Sequence, residues 1–132
     1  MQTAYYYLAL CGILTIFLWT PYILSRMITW GLPQFLNSYP KEIPPQPDWA
    51  KRSQRVHLNM VETMPAFIAV VVAAGFLATN EGINQVALWS QVFFYARIAH
   101  AILYSFAVPY LRTPSYLVSW YAILMIGAQS IL

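Results

Sequence analysis

Residues 55–65 read Arg-Val-His-Leu-Asn-Met-Val-Glu-Thr-Met-Pro, and they open a run of sequence that is otherwise apolar. On a helix with about 3.6 residues per turn, Arg55, Asn59 and Glu62 share one face because they are spaced four and then three residues apart. A polar face at the start of an apolar helix does not fit an ordinary membrane anchor. His57 lies off this face, which is typical of a histidine that packs between helices.

A second polar face lies within another apolar run, where residues 97–104 read Arg-Ile-Ala-His-Ala-Ile-Leu-Tyr. Arg97, His100 and Tyr104 are spaced three and then four residues apart, so they also share one helical face. A carboxylate inside a membrane is costly unless it is paired, so we expect Arg97 to be the ion-pair partner of Glu62. The two faces therefore either lock two helices together or bind a shared ligand.

Composition indicates the class of protein. Of the 132 residues, 60% are hydrophobic and 8% are charged, whereas soluble domains have about 25% charged residues. A soluble protein of this size could not bury so much apolar surface, so we expect an integral membrane protein. Seven Lys and Arg against four Asp and Glu are too sparse for a nucleic-acid partner. The lone Cys11 excludes an internal disulfide framework.

Hydropathy predicts an all-α membrane protein, with residues 1–132 forming one domain, an up-down bundle of four transmembrane helices. The predicted spans are about 4–27, 53–78, 83–108 and 114–132, each of a length suited to hydrocarbon about 30 Å thick. The first span has no signal-peptide features and is expected to be retained. A Pro-rich connector over 31–51 joins the first two spans, and Asp48 or Ser53 is a plausible N-cap of the second.

The distribution of cations predicts the orientation. Six of the seven Lys and Arg belong to the first and third connections or their flanks, whereas the second connection has Glu81 and neither Lys nor Arg. By the positive-inside rule, these two connections face the cytoplasm and both chain ends face the opposite side. Within this scheme Lys51 and Arg52 are interpreted as interfacial anchors with snorkelling side chains. We expect the bacterial inner membrane as the location.

Three patterns carry a resemblance to a known family. They are Arg-x-His-x-Asn-x-x-Glu-Thr on the second helix, Ala-Arg-x-x-His-x-x-x-Tyr on the third, and the Leu-Arg-Thr that opens the fourth. In this order they resemble the membrane-associated proteins in eicosanoid and glutathione metabolism (the MAPEG family), which include microsomal glutathione transferases and prostaglandin E synthase. The chain is most similar to the family's small bacterial branch. The resemblance covers roughly residues 52–132, and hydropathy alone matches before that.

The resemblance implies a homotrimer that binds glutathione as a co-substrate between adjacent protomers. The positions that match Arg55, Asn59 and Glu62 would hold the charged ends of the peptide. The other expected site residues are Arg97, His100, Tyr104, Arg112, Thr113 and Tyr116. Among them, Arg112, Thr113 and Tyr104 are the expected catalytic residues, because the arginine at the position of Arg112 stabilises the glutathione thiolate in the family.

Two functions from different classes follow. The first is a glutathione-dependent membrane transferase or peroxidase that acts on lipophilic electrophiles or lipid hydroperoxides, with membrane lipids and a lipophilic small molecule as its partners. The second is a non-catalytic lipid-binding or scaffold subunit of a larger membrane complex. The charged residues also have structural alternatives: Glu62 and Arg97 could form an ion pair that only holds two helices together, and Arg112 could serve only to orient the chain in the membrane. His57 and His100 have no Cys or second carboxylate nearby, so no metal site is expected.

Overall fold

The computed structural model describes residues 1–37 and 44–132. Its helices are α1 (Gln2–Trp30), α2 (Leu32–Leu36), α3 (Asp48–Leu77), α4 (Asn80–Ser105) and α5 (Arg112–Ile131). Helix accounts for 87% of the described residues, and no strand occurs among them. The predicted all-α class is therefore confirmed. Residues 38–43, which the sequence assigns to the Pro-rich connector, lie outside the described part.

Three of these helices, α1, α3 and α4, are long and apolar enough to cross a membrane. This supports the predicted integral membrane protein. Helix α5 has 20 residues, but its serines, its tyrosines and Gln129 lower its mean hydropathy, and it is not among the three. The expected count of four spans is therefore not confirmed.

Several helix boundaries differ from the predicted spans by a few residues, for example α4, which covers Asn80–Ser105 instead of about 83–108. Helix α3 begins at Asp48, so the last residues of the predicted connector are already helical, and the N-cap is Pro47 rather than Asp48 or Ser53. A helix begins readily here because the extended backbone of Pro47 (φ −61°, ψ 153°) leads directly into the first turn. Helix α5 begins at Arg112, two residues before the expected Pro114, which lies in the first turn where proline is tolerated.

The long helices alternate in direction, which brings four helix ends together. The Tyr22 hydroxyl, late in α1, lies 2.9 Å from Nδ1 of His57, early in α3. Nε of Arg52, also early in α3, donates to the carbonyl of Ser105 at the end of α4 over 3.1 Å. We call this the cationic end, because the helix ends that meet here carry most of the chain's cations: Arg26, Lys51, Arg52, Arg55 and Arg112.

The packed core lies in the other half of the bundle. Phe67 of α3 and Phe93 of α4 are both fully buried and stack with ring centroids 4.0 Å apart. Small side chains of α1 and α5, including Cys11 and Ala122, are also fully buried and allow close approach of the helices. Lipid is as apolar as these side chains, so close packing rather than the hydrophobic effect holds such helices together.

Candidate functional site

A cavity of about 180 Å³ opens between α3, α4 and α5 near the cationic end. We call it the polar cavity. Six residues predicted from the sequence line it: Asn59, His100, Tyr104, Arg112, Thr113 and Tyr116. The two polar patterns and the start of the last helix therefore converge on one place, as the prediction of a shared ligand requires.

Helix α4 contributes two aromatic polar side chains to the polar cavity. His100 and Tyr104 are one turn apart and face the same way, with ring centroids separated by 5.6 Å. The ring of Tyr116, from α5, lies 5.8 Å from that of His100. His100 is only 3% exposed, and its Nδ1 has no hydrogen-bond partner. A buried polar atom without a partner is costly, so it marks a place where a ligand atom can bind.

The first turn of α5 contributes the cation of the polar cavity. Arg112 is exposed, and its Cζ lies 5.2 Å from the ring centroid of Tyr104, within the range of a cation–π contact. No carboxylate pairs with it, since the single salt bridge in the described part of the chain joins Lys51 and Asp48. Arg112 therefore presents an uncompensated positive charge beside the cavity.

Arg97 is a second cation without a salt bridge to any described carboxylate, and it is only 1% exposed. Its Nε donates to Sδ of Met60 over 3.3 Å, and its Cζ lies 5.5 Å from the ring centroid of Tyr116. Both Nη atoms are buried without a hydrogen-bond partner. Arg97 does not line the polar cavity, but it places a positive charge against Tyr116, which does.

The predicted ion pair between Glu62 and Arg97 is wrong. Glu62 is exposed, and no salt bridge joins it to Arg97. The reason is helical geometry: Arg97 contacts Met60, and a residue two positions further along points about 200° away around the helix. The structural alternative, a pair that locks α3 to α4, is excluded with it.

The residues of the predicted polar face of α3 do not all lie in the polar cavity. Asn59 is half-buried and lines the polar cavity, whereas Arg55 and Glu62 are exposed and do not. His57 bonds to Tyr22, which confirms its interpretation as a histidine between helices. One chain therefore brings only part of the predicted ligand-binding set together.

Arg52 is a residue that the sequence interpretation missed. It was assigned to the membrane interface, but it lines a second cavity, of about 530 Å³, with Arg112, Thr113 and the loop 107–110. We call this the loop cavity. The signal was available, because Arg52 and Asn59 are seven residues apart and so lie on the same side of α3, two turns from each other.

The chemistry of the polar cavity suits an anionic ligand. A guanidinium, an imidazole, two phenols, an amide and a hydroxyl line it, and no carboxylate does. Among the described residues there is also no group of three or more His, Cys, Asp and Glu that could bind a metal ion. The arrangement can hold and stabilise a negatively charged group such as a thiolate or a carboxylate.

Comparison with known protein families gives a match over almost the whole chain. The model of the MAPEG family matches residues 3–132. This confirms the family resemblance and extends it over the first helix, where only hydropathy had matched. No curated protein matched the chain.

Proposed function

We propose a function from one premise, which is that the chain belongs to the MAPEG family. The protein is an integral membrane transferase or peroxidase that activates glutathione and directs it at lipophilic electrophiles or lipid hydroperoxides. One observation carries this proposal: six residues that the family resemblance implies for the site line a single polar cavity. The bilayer would supply the lipophilic substrate laterally, while the open cavity admits a soluble thiol.

The residues of the polar cavity fit glutathione. This tripeptide carries carboxylates and a thiol, and the cavity offers a guanidinium and several neutral polar groups, among them the imidazole of His100 with its unpartnered Nδ1. The volume of about 180 Å³ is below the range of about 300–1,000 Å³ for drug-sized ligands, so one chain encloses only part of the peptide. We assign the thiol end to this cavity because Arg112 lines it.

The exposed residues of α3 would bind the rest of the peptide. Arg55 and Glu62 lie on the same side of α3 and carry the charges that the ends of glutathione need. They are exposed in the single chain, and a second copy covering α3 would enclose them. We therefore propose a homotrimer with the site between adjacent protomers, as the family resemblance implies.

Arg112 is the proposed catalytic residue. When bound, glutathione would supply a thiolate, whose sulfur bonds to the electrophilic carbon as the leaving group departs with its electron pair and the thiol proton goes to water. A guanidinium beside the sulfur favours this charged form. Tyr104 would hold the guanidinium in place through its ring, and Thr113 would donate from the same helical turn.

The orientation belongs to the same proposal. The cationic end would face the cytoplasm of a bacterial inner membrane, because it carries the Lys and Arg whereas the second connection has Glu81. The polar cavity would then open towards the compartment that holds soluble thiols.

The test is conjugation of a chlorinated aromatic substrate by purified protein. We expect Arg112→Ala to lower turnover by about 10²–10³-fold, the usual effect of removing one group that stabilises a developing charge. Arg112→Lys keeps the charge but not the planar fork, so it should retain part of the activity. Unchanged turnover in Arg112→Ala would remove Arg112 from the mechanism.

A thermal-stability titration with glutathione separates binding from catalysis. Glutathione at 100 times its dissociation constant should stabilise the wild type by about 2.7 kcal/mol. A protein that neither conjugates the substrate nor is stabilised by glutathione would instead be the non-catalytic lipid-binding or scaffold subunit.

A further inference from the structure

The loop cavity has features that the proposed thiol site does not use. Its volume is about 530 Å³, and it lies where the helices meet the loop between α4 and α5. Arg52 and Arg112 both line it, and neither forms a salt bridge with any described carboxylate. Two unneutralised guanidiniums on one cavity wall indicate a ligand with negatively charged oxygens.

The position of Arg52 is fixed on the protein side. Its Nε donates to the carbonyl of Ser105, the last residue of α4, over 3.1 Å. This bond uses only one of the nitrogen groups of the guanidinium. Nε makes the one hydrogen bond of this side chain to the described residues, and no described carboxylate pairs with Arg52, so its two Nη groups can bind a ligand.

The loop that forms the opposite wall has a strained backbone. Ala107 (φ 54°) and Tyr110 (φ 66°) are the two non-glycine residues with positive φ in the described part of the chain. Such conformations are costly for residues with a Cβ and cluster at functional sites. Both residues line the loop cavity, together with Val108 and Pro109.

The surroundings of the loop cavity match the boundary between headgroups and acyl chains. Phe106 is 76% exposed and Leu111 53%, so large apolar side chains flank the loop on both sides. The phenol of Tyr110, which is 90% exposed, is of the type that lies at headgroup level. Lipid phosphates are concentrated at this depth in every bilayer.

We propose that the loop cavity binds the phosphate of an anionic membrane lipid, with Arg52 as its main anchor. A guanidinium binds phosphate oxygens in pairs, and basic residues near a membrane surface attract anionic lipids. A zwitterionic lipid brings its own cation close to the phosphate, so two unneutralised arginines favour a headgroup with net negative charge. Arg112 lines both cavities, whereas Arg52 lines only the loop cavity.

The experiment measures thermal unfolding of the full chain in nanodiscs of phosphatidylcholine with increasing phosphatidylglycerol, in the absence of glutathione. We expect the anionic lipid to raise the melting temperature of the wild type. Arg52→Gln should weaken the apparent lipid affinity by about tenfold, because it removes the charge while its amide can still donate to Ser105. Lys51→Gln is the matched control, since Lys51 is the exposed neighbour and does not line the cavity.

Each outcome decides the proposal. The proposal is supported if phosphatidylglycerol raises the melting temperature of the wild type and of Lys51→Gln but not that of Arg52→Gln. Equal losses in the two variants would show general surface attraction and overturn it. A parallel titration with inorganic phosphate in detergent distinguishes the source: stabilisation as strong as that by the lipid would identify a soluble phosphate ligand and overturn the lipid assignment. If Arg52→Gln does not fold, Arg52→Lys, which retains the charge but loses paired binding, gives the same comparison.

Discussion

The two halves of the helix bundle differ in the charge and the hydrogen bonding of their buried polar side chains. In the apolar half, Ser90 is fully buried and donates to the carbonyl of Val86 in its own helix over 2.8 Å. Near the cationic end, the guanidinium of Arg97 is equally buried, but both of its Nη atoms lack a partner. The apolar half also holds two buried polar atoms without a partner, Nε1 of Trp89 and Oγ of Ser130, but both belong to neutral groups, whereas the unpartnered atoms of Arg97 carry a charge.

The difference shows where function can lie. Among the described residues, Arg97 is the only buried side chain that carries a permanent charge. A charge without a partner costs stability, so a fold that keeps one indicates a role in binding rather than in packing. The rings of Phe67 and Phe93, by contrast, are apolar and stack on each other, so their burial leaves no polar group without a partner.

Phe67→Ala tests whether the apolar half is the main source of stability, and it has the largest expected effect. We expect it to lower the free energy of unfolding by about 3 kcal/mol, because it removes the partner of Phe93 and leaves a cavity that lipid cannot fill. Unfolding in mixed micelles with increasing dodecyl sulfate measures the change.

Phe76→Ala is the matched control for this substitution. Phe76 is on the same helix but is 83% exposed, so its truncation should change the stability little. If both variants lose the same stability, the stacked pair is not what holds the bundle together, and the contrast between the two halves fails.

Arg97→Met tests whether the buried charge in the polar half lowers the stability of the ligand-free protein. We expect it to raise the stability of the ligand-free protein by about 2 kcal/mol, because a methionine of similar length removes a buried charge that has no partner. The same variant should reduce the stabilisation by glutathione, since the positive charge beside Tyr116 is lost. The measurement is thermal unfolding with and without glutathione.

Arg55→Met serves as the control, because Arg55 is exposed and its charge costs little in the ligand-free chain. It should show no gain in stability. A loss of stability in Arg97→Met would mean that Arg97 acts as a structural group, and the interpretation of the polar half would then be wrong.

The contrast between the halves also explains what the sequence could predict. Hydropathy was enough for α1, α3 and α4, and periodicity placed Asn59, His100 and Tyr104 on the faces that meet at the polar cavity. Sequence spacing says which residues share a helical face, but it does not say how a neighbouring helix is rotated.

Two errors came from that missing rotation. Arg97 contacts Met60 instead of Glu62, so the expected ion pair does not form. Arg52 faces the end of α4 and not only the membrane interface, because the loop after Ser105 folds back over it. The start of α5 at Arg112 was also predicted too late, since Pro114 is tolerated within a first turn.

Ala107→Gly has the smallest expected effect and tests whether the polar half stores backbone strain. The amide of Val108 donates to the carbonyl of Leu103, and that of Ala107 to the carbonyl of Tyr104, which is the Schellman motif that ends many helices. The left-handed residue of this motif is usually glycine, but here it is Ala107, with φ 54°. Glycine should therefore raise the free energy of unfolding by about 1 kcal/mol.

Ala87→Gly makes the same chemical change within the regular part of α4, in the apolar half. There the substitution should cost about 0.5–1 kcal/mol, because glycine loses more backbone entropy on forming a helix. Opposite signs in thermal unfolding would show that the loop beside Arg52 and Arg112 is held in a costly conformation, whereas the apolar half is relaxed. Equal losses would mean that the loop carries no strain, and the polar half would then differ from the apolar half in its charges alone.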